Sequence, residues 1–198
     1  MRPVRLLPGV NDPPERFLEA GFEAAARDRG VPFRFELLRY EFEDLADPQA
    51  IARLEERAVA GNDGDAPAWL VGVSLGGYLA LQCARRRPDA IAGVCLIAPY
   101  LGGRALIDEI ARAPGLAAWH PGVAESEDED RRLWRFLKER ADELSLYLGA
   151  GAADRFARAH ALLAPRLPRG RVQVVDGGHD WTTWRRIWDA FLDSGLWR

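Results

Sequence analysis

The chain has 198 residues, 48% hydrophobic and 29% charged, which suits one soluble globular domain with a substantial core and excludes a disordered or membrane-spanning chain. Its formal charge of −3 offers no broad attraction for nucleic acid or an anionic membrane, so a small-molecule partner is expected. The apolar part of the N-terminus is too short for a secretory signal. Cys83 and Cys95 have no partner at metal-ligand spacing and read as buried packing residues in a reducing cytoplasm, with no metal or organic cofactor implied.

Taken in order, Val4 to Leu7 is a strand, and Pro8-Gly9-Val10-Asn11-Asp12-Pro13-Pro14 is a loop. Pro14 begins a helix whose Phe17, Leu18, Gly21, Phe22 and Ala25 recur at helical spacing, stopping by Gly30 and Pro32. Phe33 to Tyr40 is the next strand, Pro48 to Ala60 a helix, and Gly61 to Asp65 its terminating turn. Trp69 to Val73 is a buried strand, Leu75 to Arg87 a helix, and Ile91 to Ala98 a further strand. Residues 100–142 break the alternation and read as a small helical insertion, in which the acidic run Glu125 to Asp130 is a solvated loop or first helical turn. Leu144 to Leu148, the helix Ala153 to Leu163, the strand Arg171 to Val175 and the helix Trp181 to Leu192 complete the chain. Strands alternating with helices predict a three-layer α/β/α sandwich around a mostly parallel six-stranded sheet, and no linker or repeat divides residues 1–198.

The most informative stretch is Gly72-Val73-Ser74-Leu75-Gly76. It fits Gly-X-Ser-X-Gly between a strand and a helix, a turn that lifts a serine hydroxyl above the sheet and needs small residues two positions either side. A helix-capping serine in an ordinary glycine turn is the bland alternative. A nucleotide-binding turn is the sharper rival, but its middle glycine is here Ser74, and the next strand ends Ile97-Ala98-Pro99 without a ribose-binding acid.

A serine nucleophile needs a base, usually a histidine held by a carboxylate. Of three histidines, His120 falls in the insertion and His160 within a helix, whereas His179 follows Asp176-Gly177-Gly178 in the loop leaving the last strand. Catalytic groups in open α/β sheets gather at that edge. Asp154, beyond the fifth strand, reaches the same edge and could also cap its helix. Asp176 and Asp180 are closer to His179 along the chain, but such adjacency makes docking onto the ring awkward, so Asp154 is favoured.

The order Ser74, Asp154, His179, together with Gly177-Gly178-His179-Asp180-Trp181-Thr182-Thr183-Trp184, resembles the α/β-hydrolase superfamily over nearly the whole chain, and most of all its small single-domain bacterial esterases. That resemblance implies a minimal form of the fold, lacking leading strands, that cleaves carboxylic esters or thioesters through an acyl-enzyme. A non-catalytic binding protein on the same scaffold is the alternative. It further implies an oxyanion hole from the backbone N–H groups of Leu75 and Val10, although Pro8-Gly9 stands where the family commonly has His-Gly. In this family the insertion carries a substrate cap, so Leu101, Leu106, Trp119 and Trp134 are expected to line an apolar pocket. Trp181, Trp184 and Trp188, at helical spacing, are core residues by default.

Overall fold

The structure is a computed structural model describing residues 1–41, 48–59, 67–122 and 128–198. The turn expected at Gly61 to Asp65 and residues 125–127 of the acidic run lie outside them. Six strands, β1 (Arg2–Leu7), β2 (Phe33–Leu37), β3 (Ala68–Val73), β4 (Ile91–Ile97), β5 (Leu146–Gly151) and β6 (Val172–Val175), form one sheet in the order β2-β1-β3-β4-β5-β6. Every pairing is parallel.

Successive side chains on a strand face opposite sides, and here both sides are covered. Leu70, Val94 and Leu96 join one buried cluster, while Trp69, Val71, Cys95 and Ile97 join the other. The first cluster receives α3 (Pro48–Val59), α4 (Leu75–Arg86), α5 (Arg104–Arg112), α6 (Glu129–Arg140) and α7 (Ala157–Leu163). The second receives α1 (Arg16–Glu19), α2 (Phe22–Asp28) and α8 (Trp181–Ser194), and Trp184 and Trp188 are buried in it as expected of core residues. A three-layer sandwich follows. No described helix is long and apolar enough to cross a membrane.

Several boundaries differ from the sequence pattern for local reasons. The helix expected from Pro14 is broken into α1 and α2 because Gly21 takes φ 77°, a left-handed conformation that an α-helix interior does not contain. Strand β2 stops at Leu37, short of Tyr40. Strand β5 runs on to Gly151, so Gly149 and Ala150 belong to the sheet and not to a loop, and α7 begins at Ala157 instead of Ala153.

The insertion between β4 and β5 contributes α5 and α6. Asp128 caps α6 by accepting the Asp130 N–H at 2.8 Å, and Glu129 and Asp130 fill the first turn, where acidic groups meet unpaired N–H dipoles. Trp134 is fully buried, donating its indole N–H to the Leu101 carbonyl at 2.6 Å. Arg85 of α4 meets Glu129 at 2.6 Å, and Arg131 meets Glu109 at 2.5 Å, so the insertion is tied to α4 and to itself.

Candidate active site

Ser74 stands between β3 and α4 with φ 53° and ψ −116°, a strained conformation that turns the chain sharply and carries the side chain clear of the helix. The neighbouring glycines make this possible. A Cβ at Gly72 would lie 2.3 Å from the Gly76 carbonyl oxygen, and one at Gly76 would lie 2.1 Å from that of Leu7. The start of α4 is therefore pressed against the end of β1, whose loop passes the serine.

Backbone contacts fix the serine from the other side. Its N–H donates to the Ile97 carbonyl at 3.0 Å, and its own carbonyl accepts from Tyr100 N–H at 2.9 Å. Ala98 at φ 48° bends the chain between these two contacts.

His179 lies in the loop leaving β6, where Asp180 caps α8 by accepting the Thr183 N–H at 2.9 Å. Its Nε2 is 3.0 Å from Ser74 Oγ across 105 residues of chain, and its Nδ1 is 2.8 Å from Asp154 Oδ2. The imidazole is held edge-on between Phe156, at 5.1 Å between ring centroids, and Trp184, at 5.0 Å. Asp154 also accepts the Phe156 N–H on Oδ1 at 2.8 Å, bracing the turn ahead of α7; the helix cap expected of it is not made, because α7 starts only at Ala157 with Phe156 at its N-cap position.

Burial pushes the Asp154 carboxyl up, but the His179 hydrogen bond and the Phe156 N–H outweigh it and hold the group below the usual carboxylate range. Since an ionised carboxylate can only accept, His179 Nδ1 is the donor and Nε2 is left to accept from the Ser74 hydroxyl. Asp176 is exposed and Asp180 is committed to its cap, so neither competes for the ring.

The other histidines lie elsewhere. His120 is exposed. His160 is buried, with Nε2 2.9 Å from the Pro99 carbonyl, and so braces the chain next to Tyr100. Cys83 and Cys95 are free and buried, and burial pushes the Cys83 thiol up to about 12. Among the described residues no cluster of histidine, cysteine or carboxylate could hold a metal.

Val10 lies in the loop after β1. A Cβ at the preceding Gly9 would sit 3.6 Å from Ser74 Cβ, so this loop runs directly past Ser74. Among the described residues no carbonyl accepts from the Val10 or Leu75 N–H.

Leu101, Leu106, Trp119 and Trp134 are placed otherwise than a pocket wall requires. They are 1%, 5%, 1% and 0% exposed and pack in the core beneath the insertion; α6 carries Trp134 inward, and Trp119, ahead of α6, donates its indole N–H to Glu109 of α5 at 2.7 Å. Half-buried aromatics beside the site include Phe156, Tyr100 and Tyr78, in a row with centroids 5.6 Å and 5.8 Å apart. Sequence reasoning missed them. Tyr100 and Phe156 each follow the carboxyl end of a strand, and that position was the available signal.

A parallel sheet with helices on both faces, a serine on a strained strand-to-helix turn and a histidine and aspartate from later strand ends define the α/β-hydrolase class. The chain belongs to the esterase family, whose model matches residues 52–191, and is an ester-cleaving hydrolase. No curated protein matches it in sequence.

Solved structures resemble it in fold. The fluorophosphonate-binding serine hydrolase F of Staphylococcus aureus has 15% identity and TM-score 0.69, covering 100% of this chain and 84% of that one. An S-formylglutathione hydrolase from Staphylococcus aureus has 15% identity and TM-score 0.65, covering 100% and 82%. An α/β-superfamily hydrolase from Xanthomonas campestris pv. campestris has 19% identity and TM-score 0.59, covering 98% and 99%.

Proposed function

We propose that the protein hydrolyses carboxylic esters or thioesters of small molecules through an acyl-enzyme formed on Ser74. The observation that carries this reading is the continuous relay from Asp154 Oδ2 through the imidazole to Ser74 Oγ, at 2.8 Å and 3.0 Å.

In the forward step Ser74 Oγ attacks the substrate carbonyl carbon while its proton passes to His179 Nε2. The tetrahedral intermediate collapses, the bond to the leaving oxygen or sulfur breaks, and His179 returns the proton to that atom. Water then attacks the acyl carbon, gives a proton to Nε2 and releases the acid, and the imidazole restores the serine hydroxyl.

Asp154 keeps the imidazole oriented and stabilises its positive form. The N–H groups of Leu75 and Val10 receive the developing oxyanion, each worth about 3 kcal/mol in the transition state. Their lack of acceptors and the passage of Gly9 against Ser74 support this assignment.

Residues 1–198 act as one catalytic unit, with the insertion at 100–142 as a fixed cap whose core is continuous with that of the sheet. A cytoplasmic setting accords with two cysteines that are both free. A serine-reactive phosphonate should label Ser74 alone, and Ser74→Ala should abolish turnover of a short nitrophenyl ester. Labelling of another residue with activity retained in Ser74→Ala would sink the proposal.

A further inference from the structure

Tyr40 lies just beyond β2, half-buried, with its ring against the core cluster beneath α4. Its hydroxyl donates to the carbonyl of Pro8, across 32 residues, at the first residue of the loop that carries Val10.

Pro8 begins a short run of peptides whose orientations are fixed one after another. All described peptides are trans, so the Pro8 carbonyl and the Gly9 N–H point in opposite directions within their shared plane. The Pro8 oxygen accepts from the Tyr40 hydroxyl and lies against Gly76, where an added Cβ would fall 2.4 Å from it.

The next carbonyl, that of Gly9, accepts from Asp12 N–H at 3.3 Å. By the same geometry it aims the Val10 N–H away from the turn. Asp12 in turn accepts the Trp181 indole N–H at 3.3 Å, which ties the far end of the loop to α8 beside His179.

The loop also contains Asn11 at φ 62°, a conformation that an asparagine holds only at some cost. Such a segment needs external anchors to keep one shape. Among the described residues, Tyr40 supplies the side-chain hydrogen bond made ahead of Gly9 and Val10.

We infer that Tyr40 is a positioning residue for ester hydrolysis, holding the Pro8–Val10 backbone in register with Ser74 so that the Val10 N–H meets the oxyanion. This rests on the hydrolase reading above and adds to it a side chain that touches no substrate. Burial, with the Asp12 carboxylate near, holds the Tyr40 hydroxyl well above the usual phenol range, so it remains a donor at working pH.

The test is Tyr40→Phe, which keeps the ring and removes the donor. With rates expressed per phosphonate-titrated site, kcat for a nitrophenyl ester should fall about ten- to hundredfold, while KM stays within about threefold. The inhibition constant of a trifluoromethyl ketone, which places a tetrahedral oxyanion on Ser74, should rise by the same factor.

A merely structural role would lower the unfolding midpoint or the titratable fraction and leave kcat per site and the ketone's affinity unchanged, and that result overturns the inference. Wild-type protein that turns over no ester sinks the hydrolase reading and this inference together, whereas an unaltered Tyr40→Phe in an active enzyme sinks the inference alone.

Discussion

Asp154 and His179 meet at 2.8 Å with the aspartate side chain wholly enclosed and the histidine side chain 11% exposed. An enclosed carboxylate that is hydrogen-bonded on both oxygens has little freedom to move, so the imidazole it holds has one orientation left.

Replacing this acid should therefore cost far more than replacing its neighbours. Asp154→Asn is expected to lower kcat by about three to four orders of magnitude, because an amide cannot enforce the tautomer that frees Nε2. Asp176→Asn, at an exposed position, should stay within about threefold of wild type. Steady-state rates of the two variants decide, and a larger loss in Asp176→Asn would show that the acid is misassigned.

The pH profile should report one protonation on its acid side. The Asp154 carboxyl is held below its ordinary range and so stays ionised in mild acid, and loss of a single general base makes log kcat/KM fall with a slope of one. A slope of two would mean that the carboxylate titrates in the same window.

Stability should decline in two steps as the solution is acidified. Burial lowers the His160 imidazole, so the unfolded chain takes up a proton below about pH 6.5 while the folded one resists, and stability present above that pH is lost beneath it. The depressed Asp154 adds a second loss, full stability above about pH 4 giving way as pH falls through its lower folded value. Urea unfolding at graded pH measures both. His160→Gln, which can still donate to Pro99, should remove the upper step only.

Gly76→Ala should damage both fold and activity. Its Cβ would lie 2.1 Å from the Leu7 carbonyl and 2.4 Å from that of Pro8, so the loop bearing Val10 must shift. Overpacking of this kind costs about 1–3 kcal/mol, read as a lower unfolding midpoint, and the displaced donor should lower kcat per titrated site.

The aromatic residues should separate by role. Trp134→Ala empties a fully buried site and should cost about 3–5 kcal/mol, with acyl-chain preference per titrated site unchanged. Phe156→Ala and Tyr100→Ala, next to the serine and histidine, should alter that preference with a smaller loss of stability. A panel of nitrophenyl esters of graded length distinguishes the two, and a changed preference in Trp134→Ala would restore the tryptophan to the substrate pocket.

Short-range pattern was sufficient for much of this molecule. The glycine spacing around Ser74 fixes a turn that only small residues tolerate, and the alternation of apolar strands with amphipathic helices fixes a parallel sheet, because both signals act within a dozen residues. His179 and Asp154 were legible as loop residues at the carboxyl edge, for the same reason that strand ends are.

What only the tertiary structure decided are the meetings of residues distant along the chain. Trp134 turned inward because α6 packs its apolar face into the core, a choice that amphipathic spacing alone does not make. Tyr40 on Pro8, Tyr100 on Ser74 and the 2.8 Å and 3.0 Å contacts of His179 depend on where parallel strands place their ends in space, and that is set by sheet order and register, neither of which is written in any one segment.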